Sequence, residues 1–270
     1  MAEKKEPDKK IFIENAAEMP CDNSEYTGVY VGSGFCQEAL PTREELAALV
    51  SAAQERGLSF HLVTPYLTES YIGHAINLAE SLTSFAPGSE VIANDLGFLA
   101  TIAADFKELK PVAGLILAFQ RSDPDVLKIL DAAFDGTELE KKRMEFQHIS
   151  VDNPIFARFL KELRVSRIEI QNPRQGIGAE SVVDFEYSLH IPYVYVTSTR
   201  FCQPVERLTR PGRVPGVYSC QRQCAELYFR LTPRGGDTRF IFRGNTVYYE
   251  NPPHEMPPFV DSVVIHKRPS

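Results

Sequence analysis

TGVYVGSGFCQEALPTREELAALVSAAQERGLSFHLV, residues 27–63, is the stretch that decides the fold. Its first six residues form an apolar run typical of a buried strand. Thr42, followed three residues later by Glu45, predicts a capping box at the start of a helix that ends at Gly57. A second β-prone run, Ser59–Val63, comes directly after that helix. The stretch therefore predicts one strand–helix–strand unit.

The same alternation continues on both sides of this unit. Helix starts recur, as at Asn153-Pro154, where proline occupies the first helical position at no cost in hydrogen bonds. Strands separated mostly by helices favour a TIM-type (β/α) barrel over an open doubly wound sheet. The eight candidate strands are Ile11–Glu14, 27–32, Ser59–Val63, Glu90–Ala93, Val112–Leu117, Glu145–Ile149, Arg167–Ile170 and Tyr193–Thr197.

The pattern changes near residue 200, which sets the predicted domain organisation. Residues 1–10 are predicted to be a disordered tail and residues 11–199 the barrel. Residues 200–270 are predicted to form a cysteine-containing C-terminal extension packed on one end of the barrel. Gly244-Asn245, between two β-prone runs, predicts a hairpin within it.

Composition narrows the class of protein. The chain has 270 residues, 43% of them hydrophobic, and a formal net charge of -7. This charge argues against a protein held mainly by nucleic-acid phosphates, although a local basic patch leaves RNA open. The N-terminus carries charges without an apolar stretch, and the longest apolar run, Val112–Phe119, is too short to span a bilayer. We therefore expect a soluble, cytoplasmic protein without a membrane span.

The cysteines are the strongest chemical signal. Five cysteines in a chain without an export signal disfavour a disulfide scaffold and favour metal or redox use. Cys202, Cys220 and Cys224 lie within one loop-rich segment, and Cys36 follows the strand at 27–32. Loops after barrel strands meet at one rim, so Cys36 is expected to approach the other three there.

Four thiolates suit tetrahedral zinc and an iron–sulfur cluster equally, so the metal stays open. Cys21 lies in a polar connector without a partner nearby in sequence, and we interpret it as a small buried hydrophobic residue rather than a ligand.

Charged residues near these cysteines suggest what the site could hold. Residues 200–243 contain nine arginines, no lysine and three acids, Glu206, Glu226 and Asp237. Arginines could offset the charge of a thiolate-bound metal or hold a small anionic substrate, and a solvated basic face is the plain alternative. Asp95 and Arg200 are the candidates for catalytic residues. Asp95 also precedes a helix, where a helix cap is the simpler interpretation.

Several short segments together resemble a known family. They are VYVGSGFC, EVIANDLGFL, PVAGL, HIPYVYVTSTRFC and the Cys220-x-x-x-Cys224 pair. In this order they resemble the collagenase-like peptidase family, which is family thirty-two of the peptidases of unknown mechanism. Within this family they are most similar to the smaller, single-barrel members that act in oxygen-independent ubiquinone biosynthesis. The resemblance covers residues 25–265.

The resemblance implies a cofactor and a function. It implies a [4Fe-4S] cluster held by Cys36, Cys202, Cys220 and Cys224. It further implies a role in oxygen-independent hydroxylation of a quinone precursor or an RNA base. Such a protein would act on a small anionic or aromatic substrate, as one subunit of a heterodimer with a paralogous barrel.

Two other functions compete with this one. A zinc-stapled structural subunit without catalysis would use the same four cysteines. A peptidase is the third hypothesis, but no nucleophile–base pair is evident from the residue spacings.

Overall fold

Eight parallel strands close into a barrel in the computed structural model, which describes residues 6–178, 185–200, 202, 220, 222–234 and 237–270. Around the ring they follow chain order except at the closure, where β12 lies between β7 and β1. Their bounds are β1 Asp8–Ile13, β2 Gly28–Gly32, β3 Ser59–Thr64, β4 Glu90–Ala93, β5 Lys110–Ala113, β6 Arg167–Gln171, β7 Glu186–Ile191 and β12 Ser262–His266.

Helices lie between most of these strands. They are α1 Arg43–Glu55, α2 Glu69–Phe85, α3 Leu96–Asp105, α4 Leu115–Ala118, α5 Val126–Ala133, α6 Gly136–Gln147 and α7 Pro154–Glu162. The predicted α/β barrel of TIM type is thereby confirmed. The capping box on α1 is present, since Thr42 Oγ1 accepts from Glu45 N at 3.1 Å and Glu45 Oε2 accepts from Thr42 N at 2.8 Å.

The strand that closes the barrel differs from the predicted one. Residues 262–266 pair in parallel with both β1 and β7, so the barrel is not confined to residues 11–199. Residues 193–197 do form a strand, but it leaves the ring. At the other end of the chain, β1 already begins at Asp8, so residues 8–10 belong to the barrel rather than to a tail. Residues 1–5 lie outside the described residues.

Two further strand predictions are corrected. Residues 145–147 are the last residues of α6, which i,i+3 ion pairs such as that of Lys142 with Glu145 stabilise. Within the strand predicted at 145–149, Ile149 alone pairs, in an isolated bridge with Gln120. The strand predicted at 112–117 stops at Ala113, because Asn94 Oδ1 accepts from Ile116 N at 2.9 Å and turns the chain into α4.

A second, antiparallel sheet is formed by part of the remaining chain. Its strand order is β8 (Tyr193–Ser198), β11 (Thr246–Glu250), β10 (Phe240–Arg243) and β9 (Tyr228–Leu231). The predicted hairpin joins β10 to β11 through Gly244, whose φ of +60° suits the tight turn. Phe35, from the loop after β2, packs against Ile241 and Tyr248 of this sheet.

The core has two layers. The larger lies between strands and helices, and α1 contributes Leu46, Leu49, Val50 and Ala53 at helical spacing. Each such buried leucine or valine stabilises the fold by roughly 1.5–3 kcal/mol. A smaller apolar cluster, which includes Tyr30, fills part of the barrel interior. Among the described residues, every helix is too short or too polar to cross a membrane.

Candidate functional site

A pocket of about 490 Å³ opens at the carboxyl ends of β1, β2 and β12. Its walls come from the loops that follow these strands and from the antiparallel sheet. The side chains that give it chemical character are Glu14, Cys36, Arg222, Cys224, Arg243 and Tyr248. The carboxyl rim of a parallel barrel is where catalytic and binding residues collect.

Cys36 reaches the pocket through a tight loop after β2. Gly32 ends the strand with a φ of +113°, a conformation that side chains larger than hydrogen rarely adopt. Ser33 Oγ then accepts from the backbone N–H groups of Phe35 at 3.3 Å and of Cys36 at 3.1 Å. These bonds fix the direction in which the loop carries Cys36.

Cys224 faces the pocket from the segment before β9. The turn residue Gly244 is its neighbour, since a Cβ built at this position would lie 3.6 Å from Cys224 Sγ, an ordinary contact distance. Arg243 Nε donates to the carbonyl oxygen of Cys224 at 3.0 Å. The turn of the hairpin therefore holds the cysteine segment against the barrel rim.

The thiols act on one another electrostatically. Burial raises the pKa of Cys36 to about 11, and the charges of Cys224 and Cys220 add to this shift. A hydrogen bond with Cys202 lowers the pKa of Cys224 to about 6, with help from the charge of Arg243. Cys36, Cys202, Cys220 and Cys224 thus share one neighbourhood.

This neighbourhood is not a ready-made coordination geometry. Within the part of the chain that the structure describes, no group of three or more His, Cys, Asp or Glu side chains is arranged to hold a metal ion. The fifth cysteine, Cys21, is exposed and not buried as predicted, because the polar connector that carries it lies at the surface, and it does not line the pocket.

Two arginines that line the pocket differ in how exposed their side chains are. Arg243 is nearly buried, and Glu14 holds its guanidinium, with Arg243 Nη2 at 2.7 Å from Glu14 Oε2. Arg222 is half exposed and donates to Leu40 O at 2.9 Å. Of the other arginines in the predicted basic stretch, Arg207, Arg210 and Arg213 lie outside the described residues.

The two candidate catalytic residues lie outside this pocket. Asp95 caps α3, with Oδ1 accepting from Phe98 N at 2.9 Å and Oδ2 from Leu67 N at 3.4 Å. Arg200 is exposed, and its guanidinium carbon lies 5.1 Å from the centre of the Tyr66 ring. The geometry of Asp95 is therefore that of a helix cap.

Substitutions at Asp95 separate the cap from a catalytic carboxylate. We expect Asp95→Ala to lower the free energy of unfolding by about 1 kcal/mol, because the N–H groups lose their acceptor. Asp95→Asn should lose no more than about 0.5 kcal/mol, since its amide oxygen keeps the cap on Phe98 N and only the longer bond to Leu67 N is lost. Urea denaturation of both variants measures the difference. An equal loss in both would contradict the cap.

The residues that sequence reasoning missed lie inside the barrel. Several ionisable side chains point inward from the strands and are largely buried. They are Lys10, Tyr30, His61, Glu90, Arg167, Glu169, His190 and His266. The signal that could have revealed them is the alternation of charged and apolar residues in Arg167-Ile-Glu169-Ile-Gln171, because a barrel strand is covered on both faces.

Arg167 and Glu169 are the centre of this interior network. Arg167 Nε donates to Glu169 Oε1 at 3.3 Å, and its Nη2 donates to Tyr30 Oη at 3.0 Å and also to Glu90. Tyr30 Oη donates to Glu169 Oε1 at 3.0 Å. Burial opposes the ionisation of Glu169, but the hydrogen bond from His190 and the charge of Arg167 lower its pKa overall.

His61 extends the network toward the amino ends of the strands. It lies 2.5 Å from Glu90 through Nδ1 and 2.8 Å from Ser59 Oγ through Nε2. Burial lowers the pKa of His61 from 6.5 to about 4, so the ring is neutral at pH 7. Burial opposes the ionisation of Glu90, yet the His61 hydrogen bond and the Arg167 charge lower its pKa to about 2.

The pKa of His61 predicts a pH dependence of stability. Between pH 6.5 and about 4 the unfolded chain binds a proton at His61 that the folded chain does not. The free energy of unfolding should therefore fall as the pH drops through this window, by up to about 1.4 kcal/mol per pH unit from this one group. Urea denaturation across the window should show a shallower slope for His61→Gln. An unchanged slope would contradict the prediction.

Together, the fold and the pocket define a parallel α/β barrel with a thiol-bearing pocket at its carboxyl rim. The chain matches no family model and no curated protein sequence. Among solved structures it is similar to the U32 peptidase Mk0906, with a TM-score of 0.48 and 15% sequence identity over 98% of this chain and 94% of that chain. Neither chemistry nor ligands follow from a similarity at this level.

Proposed function

We propose that this protein binds a [4Fe-4S] cluster through Cys36, Cys202, Cys220 and Cys224 and takes part in oxygen-independent hydroxylation. The observation that carries the proposal is the proximity of these four thiols. Cys36 and Cys224 line the rim pocket, Cys202 forms a hydrogen bond with Cys224, and Cys220 lies close enough for its charge to act on Cys36. They come from the loop after β2 and from a segment more than 160 residues further along the chain.

The donor set suits the proposed cluster. Four cysteine thiolates are the usual ligands of a [4Fe-4S] cluster, and a thiol with a lowered pKa such as Cys224 is ready to bind. The buried Arg243 would offset part of the negative charge. When bound, the cluster would supply electron transfer or activation of the substrate.

The rest of the pocket supports a small aromatic or anionic substrate. Phe35 and Tyr248 form an aromatic wall, with their ring centroids 5.8 Å apart in an edge-to-face arrangement. Arg222 is half exposed and its guanidinium lies 3.8 Å from Glu45, so a carboxylate or phosphate would compete with Glu45 for its charge. A pocket of this volume suits a molecule of the size of a quinone precursor or a single base.

An exposed sheet edge supports the proposed paralogous partner. Strand β9 lies at the edge of the antiparallel sheet, and all four of its residues are exposed, including Tyr228, Phe229 and Leu231. Apolar edge strands favour pairing with another chain. In this proposal a second barrel protein covers the edge, as in a heterodimer resembling that of the V-type accessory protein of oxygen-independent ubiquinone biosynthesis.

Metal analysis of protein purified without oxygen tests the cluster. We expect brown protein with about four irons and four sulfides per chain. Changing Cys36, Cys202, Cys220 or Cys224 to serine, one at a time, should remove most of the iron and the colour. Cys21→Ser is the matched control and should keep both, because Cys21 is exposed and does not line the pocket.

Other outcomes would decide for the competing functions. Colourless protein with one zinc per chain would contradict the proposed cluster and favour a structural zinc subunit. Hydrolysis of peptides by the isolated chain, unaffected by the cysteine substitutions, would favour a peptidase.

A further inference from the structure

A row of hydrogen bonds leads from the rim pocket into the barrel interior. Ser270 lines the pocket, and its Oγ lies 2.7 Å from His266 Nδ1. His266 Nε2 lies 2.8 Å from His190 Nδ1, and His190 Nε2 lies 2.6 Å from Glu169 Oε2. His266 and His190 are 7% and 4% exposed, and Glu169 is fully buried. The row is therefore shielded from bulk water beyond Ser270.

The direction of these hydrogen bonds follows from the charge of Glu169. Arg167 and Tyr30 both donate to Glu169 Oε1, which keeps the carboxylate ionised, so His190 Nε2–H must donate to Oε2. A neutral histidine carries one N–H, which leaves His190 Nδ1 as the acceptor for His266 Nε2–H. By the same rule, His266 Nδ1 accepts from the hydroxyl of Ser270.

We propose that Ser270, His266 and His190 form a proton-transfer path that takes a proton from a molecule bound in the rim pocket. The molecule gives its proton to Ser270 Oγ, and the Ser270 hydroxyl proton moves to His266 Nδ1. His266 then passes its Nε2 proton to His190 Nδ1. Three O–H or N–H bonds form and three break, and the net result is one proton moved from the pocket to His190.

The surroundings of His190 suit the charge that arrives there. The new imidazolium lies 2.6 Å from the carboxylate of Glu169, in direct ion-pair contact. Phe12 stacks on His266 with ring centroids 4.9 Å apart, and the edge of Tyr30 faces His190 at 5.9 Å. On the far side of Glu169, Arg167 and Tyr30 both donate to Oε1. A guanidinium does not release its proton, and burial raises the pKa of Tyr30 well above its usual value, so the path ends here. His190 therefore stores the proton and returns it only to the pocket.

The path uses side chains of this chain alone and does not depend on the proposed cluster. It gives the pocket a base that is reached through Ser270 but lies within the barrel. His266 and His190 are relay residues, whereas Ser270 would contact the bound molecule.

Proton exchange at the ring nitrogens tests the path in the full chain as purified. Nitrogen-detected NMR first assigns the tautomers, and we expect Nε2–H on both His190 and His266. Nitrogen relaxation dispersion then measures how fast His190 Nδ1, the atom at which the transferred proton arrives, gains and loses a proton. Ser270→Val removes the hydroxyl and fills its space, and should slow this exchange by roughly tenfold. Ser270→Thr has the size of valine but keeps the hydroxyl, and should exchange at nearly the wild-type rate.

The outcomes are distinct. Equal exchange in the valine and threonine variants would overturn the path, because it would show that the hydroxyl plays no part. An Nδ1–H tautomer on His190 in the wild-type protein would overturn it even if a variant failed to fold. Because no metal is needed, either result is separable from failure of the proposed cluster, which metal analysis alone decides.

Discussion

Replacing Arg167 by methionine is expected to lower the free energy of unfolding by roughly 3–5 kcal/mol. The guanidinium is nearly buried and binds two carboxylates, Glu90 and Glu169. Methionine has a similar length, so little volume is lost, but both carboxylates lose their main cationic partner inside the barrel. An uncompensated buried charge costs several kcal/mol, which is why the effect should greatly exceed that of a surface ion pair.

Urea denaturation at pH 7 measures this effect, with Arg158→Met as the matched control. Arg158 is on α7, is 76% exposed at its side chain and lies 4.0 Å from Glu162. Its replacement should change the free energy of unfolding by no more than about 0.5 kcal/mol. If both variants were equally stable, the interior charges of the barrel would have to be hydrated rather than buried.

Gly32→Ala is expected to lower the free energy of unfolding by about 3 kcal/mol. A Cβ at this position would lie 2.2 Å from the backbone carbonyl oxygen of Val63, and the φ of +113° is unfavourable for alanine. Since a backbone atom is in the way, the strand end itself must move. That movement should also displace the loop that carries Cys36, so under the proposed function iron binding should fall along with stability.

Gly73→Ala is the opposite case and serves as the control. Gly73 lies on the exposed face of α2, and a methyl group added there would have no other atom within 4 Å among the described residues. Alanine is the better helix former, so stability should rise by up to about 1 kcal/mol. Denaturation of both variants under the same conditions measures the contrast, and a loss at Gly73 similar to that at Gly32 would refute the steric explanation.

Local signals in the sequence were sufficient for much of the barrel. The Thr42–Glu45 capping box and the Asn153-Pro154 start each mark a helix that is present, because a cap depends on neighbours three or four residues away. The turn at Gly244 was equally predictable from the sequence. Strand β12 was not predictable, since its partners β1 and β7 are distant in the chain and only their pairing shows that residues 262–266 close the ring.

The candidate site, like the fold, was predictable from the sequence only in part. Cysteine spacing and the position of Cys36 after a strand predicted that thiols would gather at the rim. Cys36 reaches the rim in the predicted way, because it follows the barrel strand β2. Cys202 does not, because the strand before it, β8, pairs within the antiparallel sheet instead of the barrel. The segment from residue 200 to 224 gave no sign of how it folds. The interior network was missed because a charged residue in a strand is ordinarily taken as solvent-facing, whereas the closed barrel buries both faces.

The sequence by itself determined the class of fold, the helix caps and the hairpin, and it predicted four thiols as the ligands of the site. Only the tertiary structure decided which strand completes the barrel, which arginine is held by Glu14 and which ionisable side chains meet along the barrel axis. The physical reason is the separation along the chain of the residues that must meet. Caps and turns are settled by contacts within a few residues, but ring closure and the pairing of Arg167 with Glu90 join residues 74 apart or more.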